Sequence, residues 1–274
     1  MLLRMMDDHT VRRVAHTIAT GPEDDAAYRA LNDLAGMIAI DPDARIIGGH
    51  MVGMIAAAFP SPGFIDRRTG DADAGIPLTL AASGALHEAL EAAGYHAESG
   101  NRYVCGDSPE QKVIDLLVPA GGSTFTTDDR GGRQFDAMPG LSLAMSRVIV
   151  IEAHMTLLDG TELICDVPVP TVEAAVVLKA YAWRDRWAQT SKDTIDLSNL
   201  LHVIEAHGAE AVGGWRLNED GVAGTRGDAA AILADLATKV RSGRATPPAV
   251  DKRKFEVLLR RWAVPSPSPL SGPA

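Results

Sequence analysis

The stretch DVPVPT, from Asp166 to Thr171, divides the chain into two kinds of sequence. Upstream of it, apolar residues come in short runs punctuated by glycine, proline and an Asp-Gly pair. Downstream, they recur at helical spacing for most of the remaining length. A strand repeat near two residues and a helix repeat of about 3.6 build different layers. The chain is therefore read as α+β: a mixed α/β domain over residues 1–169, a helical domain over 170–263, and a Pro/Ser-rich tail over 264–274 expected to be disordered. With 274 residues there is enough chain to bury real cores in both parts. No internal repeat is present.

In the first part, DDAAYRALNDLAGMIA (Asp24 to Ala39) carries apolar groups at helical spacing behind Pro22 and an acidic cluster. ARIIGGH reads as a short strand ended by two glycines, and HMVGMIAAAF as a buried helix stopped by PSPG. A strand is expected around Asp71 to Leu80, leading into one helix, LAASGALHEALEAAG. RYVCG and QKVIDLLVP follow as strands, and RVIVIEAHMTLLDGTELICDVP reads as a hairpin around its Asp-Gly. In the second part, helices are expected over TVEAAVVLKAYAWRDRWA, KDTIDLSNLLHVIEAHG, GDAAAILADLATKVRSG and KRKFEVLLRRW.

Charge and composition narrow the function. A formal net charge of -10 gives no bulk attraction to nucleic acid, so any contact with RNA needs a locally basic surface. Cys105 and Cys165 match no metal or redox spacing. The start, MLLRMMDDHT, lacks the apolar stretch of a signal peptide, and no uncharged run nears the roughly 20 residues that a membrane helix needs. The chain reads as cytoplasmic, with no membrane partner. HEALE lacks the second histidine of a zinc helix, and His154, His202 and His207 belong to no ligand spacing.

Three carboxylates stand out. Asp71 and Asp73 point to one face if they lie on a strand, and two like charges held there call for a cation or a base between them. Magnesium, a hard ion that prefers oxygen, suits them, although an Asp-x-Asp alone is most often a polar loop. Asp115 interrupts VIDLLV, a run typical of a strand buried on both faces. An ionised group there needs either a core arginine or a metal. Gly48-Gly49, between a strand and a helix, is a tight turn that also exposes amides to a phosphate. It fits neither the dinucleotide fingerprint nor a P-loop.

In their order, these pieces resemble the nucleotidyltransferase superfamily with the polymerase-beta-like minimal fold, and within it the AbiEii-type toxins and related proteins. The resemblance rests on Gly48-Gly49, on RRTGDAD (Arg67 to Asp73), on Asp115 in VIDLLVP, and on VLKAYAWRDR followed by KDTIDLSNLL. It spans roughly Ala35 to Leu201. His50 stands where many members carry a small residue, and FPSPGFID looks like an insertion between Gly49 and Asp71.

The resemblance implies a mixed-sheet nucleotidyltransferase domain followed by a helical domain. It implies a two-metal magnesium site on Asp71, Asp73 and Asp115, with Asp115 also helping to activate the acceptor hydroxyl. Nucleotide contacts fall to Gly48, Gly49, His50, Arg68, Thr69, Lys179, Lys192 and Asp193. The implied activity moves a nucleoside monophosphate from a nucleoside triphosphate to a hydroxyl, with RNA or a transfer-RNA 3′ end as acceptor and an antitoxin protein as partner. A small aminoglycoside-like molecule or a protein is the alternative acceptor, and a non-catalytic binding protein is the alternative class.

Lys179 interrupts an apolar helix and must either snorkel outward or meet an anion. Lys192 and Asp196 are spaced as a helix-surface pair, a weak one of about 0.2–0.5 kcal/mol. Arg184 and Arg186 read as weaker phosphate candidates, and KRKFEVLLRRW as a helix that packs its apolar side inward.

Overall fold

The computed structural model describes residues 11–264. The reading of the first ten residues and of the PSPSPLSGPA tail lies outside them. The chain is a mixed α+β protein of two compact units, Met1–Ala58 with Arg68–Thr171 and Phe59–Arg67 with Val172–Ala274. Residues 59–67, expected within the α/β part, thus belong to the helical unit.

The first unit runs β1 (Val11–Ile18), α1 (Pro22–Ile38), β2 (Arg45–Ile47), α2 (Gly48–Ala58), β3 (Ala72–Gly75), α3 (Leu78–Ser83), α4 (Ala85–Ala92), β4 (His96–Ser99), β5 (Arg102–Cys105), β6 (Lys112–Pro119), β7 (Thr126–Arg130), β8 (Arg133–Met138), α5 (Leu141–Ser146), β9 (Val148–Thr156) and β10 (Glu162–Pro170). Helix α1 starts on Pro22, whose missing N–H costs nothing there, and Glu23, Asp24 and Asp25 sit at its positive end. Its buried stripe of Ala27, Leu31, Leu34 and Ile38 has the helical repeat read from the sequence. The single helix expected after β3 is two, because Gly84 at φ 74° ends α3 and opens α4.

One sheet has the order β2-β3-β6-β5-β4, with β8 also on β6 and β7 on β8. Strand β3 runs parallel to β6, whereas β2 and β5 are antiparallel to their neighbours β3 and β6. Ile114, Leu116 and Val118 of β6 are fully buried, as a central strand requires. A second, three-stranded sheet has the order β1-β9-β10. There β9 and β10 form the expected hairpin, closed by Asp159-Gly160 with Gly160 at φ 83°. Strand β1, not expected from the sequence, pairs parallel to β9 along its whole length.

The second unit is helical: α6 (Val172–Arg186), α7 (Lys192–Ala211, interrupted at Gly208), α8 (Gly224–Arg241) and α9 (Lys252–Trp262). Helix α6 is buried from Val172 to Trp183 without a break, charged residues included. Helix α9 is capped by Asp251, which accepts from the amides of Arg253 and Lys254, and it buries Phe255, Leu258 and Leu259.

Residues 59–67 lie as a strap along α7. Asn199 accepts from the Ile65 amide at 2.9 Å and donates to the Ile65 carbonyl at 2.8 Å, so one side chain satisfies both peptide groups. A His207 ring nitrogen lies 3.0 Å from the Pro60 carbonyl, and Arg67 reaches Asp196. Gly63, at φ 87°, passes so close to His202 that an added Cβ would meet its ring at 2.7 Å. Asn199→Ala is expected to cost about 1–3 kcal/mol, the penalty for unpaired buried peptide groups. Urea unfolding measures it, and Asn199→Asp should recover only the half of the pair that accepts.

Candidate metal centre

Strand register makes the candidate site. The parallel pairing of β3 with β6 sets Asp73 beside Asp115, and Asp71 stands two residues earlier, just ahead of β3. One carboxylate oxygen from each of the three lies within 4.8 Å of the others. The predicted grouping of Asp71, Asp73 and Asp115 is therefore present. Asp115 is nearly enclosed, with its side chain 11% exposed, whereas Asp71 is 40% exposed and forms the open side. The Thr69 hydroxyl donates to Asp71 at 2.8 Å and fixes one of its oxygens.

Gly48 opens α2 beside this cluster at φ 68°. A Cβ there would stand 1.8 Å from the Asp73 Oδ2. The glycine is thus required twice, by the left-handed backbone and by the carboxylate that fills the space of its missing side chain. Asp73 is the residue that makes this close approach to Gly48. Gly49 continues the first turn of α2, and His50 is buried in the same helix with its ring 6.0 Å from that of Tyr28 on α1. Arg68 reaches Asp24 at the start of α1, at 3.3 Å.

Arg102 is the residue that sequence reasoning did not name. It faces Asp115 across the β5–β6 ladder and grips it with Nε at 3.0 Å and an Nη at 2.6 Å, while Asp71 is 3.9 Å away. The hydrogen bonds to Asp115 raise the guanidinium pKa above its usual value against the opposing effect of burial, with help from the charges of Asp115, Asp71 and Glu98. Of the two readings open for Asp115, a core arginine or a metal, the arginine is present, and the neighbouring carboxylates form a group that could hold a metal ion. Arg102 thus contacts two of the three carboxylates, Asp115 closely and Asp71 at 3.9 Å. The donor set is all oxygen, as hard divalent cations require, and Arg102, 42% exposed, closes the set on one side only. These residues could hold a metal ion.

The basic residues expected at the nucleotide lie in the helical unit. Lys179 neither snorkels nor stands alone: buried in α6, it contacts Asp196 at 2.7 Å and Asp193 at 3.6 Å. Arg67 holds Asp196 through two hydrogen bonds, of 2.8 and 2.9 Å, and Arg186 holds Asp193 the same way at 2.6 and 2.9 Å. The surface pair expected of Lys192 and Asp196 does not form, because Asp196 turns inward to Lys179 and Arg67. Lys192 is exposed at the first turn of α7, and Arg184 pairs with Asp185.

Burial acts to raise the Asp193 carboxyl, yet the Arg186 hydrogen bonds and the charges of Lys179, Arg186 and Arg67 hold it below the usual range. A carboxyl depressed in the folded state adds stability above its unfolded pKa of about 3.9 and loses that contribution as the pH falls through the folded value. Urea unfolding of the wild type and Asp193→Asn should therefore differ most near neutrality, and the gap should narrow below about pH 4.

No family model, curated protein or solved structure matches this chain.

Proposed function

We propose that the protein is a magnesium-dependent nucleotidyltransferase that moves a nucleoside monophosphate from a nucleoside triphosphate to an acceptor hydroxyl. The observation that carries the reading is the convergence of Asp73 and Asp115, paired on two parallel strands, with Asp71 just ahead of the first, their oxygens within 4.8 Å. Three carboxylates this close, with Asp71 open to solvent, offer the all-oxygen ligand set that a divalent cation prefers. These three would hold the metal, and bound magnesium supplies the positive charge that phosphates and departing pyrophosphate require.

The chain's own groups do the rest. Arg102 holds both oxygens of Asp115 and fixes its plane, so that the least exposed carboxylate is set rigidly beside the other two. Thr69 orients Asp71, and Gly48 leaves Asp73 room to face the cluster. By its resemblance to the toxin branch, the acceptor is the 3′ end of RNA, transfer RNA included, and a separately encoded antitoxin is the partner.

The test incubates the protein with magnesium, each α-labelled nucleoside triphosphate and total RNA, beside an Asp71→Ala/Asp73→Ala control. Label in RNA that requires both aspartates supports the proposal. Label that moves only to an aminoglycoside or a protein keeps the chemistry and changes the acceptor. No transfer, and no magnesium-dependent nucleotide binding, overturns it.

A further inference from the structure

The three-stranded sheet carries a second cluster of ligating side chains, unrelated to the aspartates. On its outer face, strand register sets His16 of β1 directly beside His154 of β9. Glu162 of β10 lies diagonally across, two residues before Ile164, the cross-strand partner of His154. The two rings are 4.8 Å apart between centroids, and one ligating atom from each of His16, His154 and Glu162 lies within 4.8 Å of the others.

The ring of His154 is held from both sides. One nitrogen, Nδ1, is 3.2 Å from Glu162, and the other, Nε2, is 2.9 Å from Glu152. This is the arrangement a metal-binding histidine uses: one nitrogen faces the metal and a carboxylate ligand, and the other donates its proton to a second carboxylate that fixes the ring. Glu152 is on the same face, paired with Val14 of β1, so the orienting group comes from the strand itself. Around the cluster, Val14, Ile18 and Ile164 stand exposed on the same face and give it apolar flanks.

We infer that His16, His154 and Glu162 form a binding site for a divalent transition ion of the zinc class, with Glu152 orienting His154. Two imidazoles and one carboxylate suit zinc, copper or nickel rather than magnesium, and three protein ligands leave a position open to water. Each ligand comes from a different strand. The ion therefore ties β1, which is paired to one neighbour only, to the β9–β10 hairpin, and stabilises the folded unit by mass action. The site does not depend on the proposed transferase activity.

The sequence hides it because the three ligands come from separate segments, and no local spacing joins them. The cysteines are no rival ligands here. Cys165 projects from the opposite face of β10, where burial raises its thiol to about 11.

The experiment titrates the tag-free full chain with Zn2+ alone, against Mg2+ as reference, and reads uptake and melting temperature. Co2+ reports the ligand geometry through its visible absorption. One Zn2+ per chain and a higher melting temperature with Zn2+ but not Mg2+ are expected. His16→Ala or His154→Ala should abolish both effects, and Glu152→Gln should weaken binding about tenfold or more. Asp73→Asn should change neither. His16, His154 and Glu152 share the outer face of the sheet and Asp73→Asn is nearly isosteric, so circular dichroism should show every variant folded. Zinc uptake that survives in both histidine variants, or no uptake by the folded wild type, overturns the inference.

Discussion

Asp73→Asn is expected to lower nucleotidyl transfer by roughly a thousandfold or more, which is about 4 kcal/mol of lost transition-state stabilisation. The substitution is nearly isosteric, so the fit against Gly48 survives and only charge and donor capacity change. The side-chain volume and its place against Gly48 are kept, so circular dichroism should show the variant folded. A loss of transfer that follows unfolding instead of preceding it points to a structural role. The rate is read by α-label transfer and stability by thermal unfolding of the same preparations. Gly48→Ala is the control in which the fold fails first: alanine at φ 68° is strained and its Cβ meets the Asp73 carboxylate.

The largest stability effect is expected at Asp196, not at Lys179. Asp196, 2% exposed, accepts from Lys179 and twice from Arg67. Asp196→Asn leaves the Lys179 ammonium buried with Asp193 at 3.6 Å, and breaking a buried pair in this way costs about 3–5 kcal/mol. Lys179→Met instead leaves both carboxylates gripped by arginines, Asp196 by Arg67 and Asp193 by Arg186. Its cost should be well below that of Asp196→Asn, because methionine fills the stem's volume and strands no charge. Urea unfolding of the two single variants and the double variant checks this. If Lys179→Met is the more costly, the ammonium rather than the carboxylate organises the cluster.

The sequence made the local elements legible where the pattern was strong, as along α1 and the β9–β10 hairpin. It also named the three aspartates, because a carboxylate inside VIDLLV is costly enough to need an explanation. What it hid was set by pairing between distant segments. Arg102 reaches Asp115 only through the β5–β6 register, and β1 exists as a strand only because β9 lies beside it. VRRVAHTI buries little more than Ala15, so no alternation announces it. The strap of residues 59–67 read as an insertion, whereas Asn199, Asp196 and His207 make it part of the helical unit. For Lys179 the sequence left snorkelling and an anion both open, and the anion is a pair of aspartates on α7 that share no short motif with it.

The central claim is that Asp71, Asp73 and Asp115 form a divalent-cation site rather than an acidic patch neutralised by Arg102. The most direct test titrates Mn2+, as a spectroscopic stand-in for Mg2+, into the wild type, Asp73→Asn and Asp115→Asn in the presence of a non-hydrolysable nucleoside triphosphate. The account predicts nucleotide-dependent Mn2+ binding that Mg2+ displaces and that either asparagine variant removes. Equal Mn2+ binding in all three proteins, or none in the folded wild type, would contradict it.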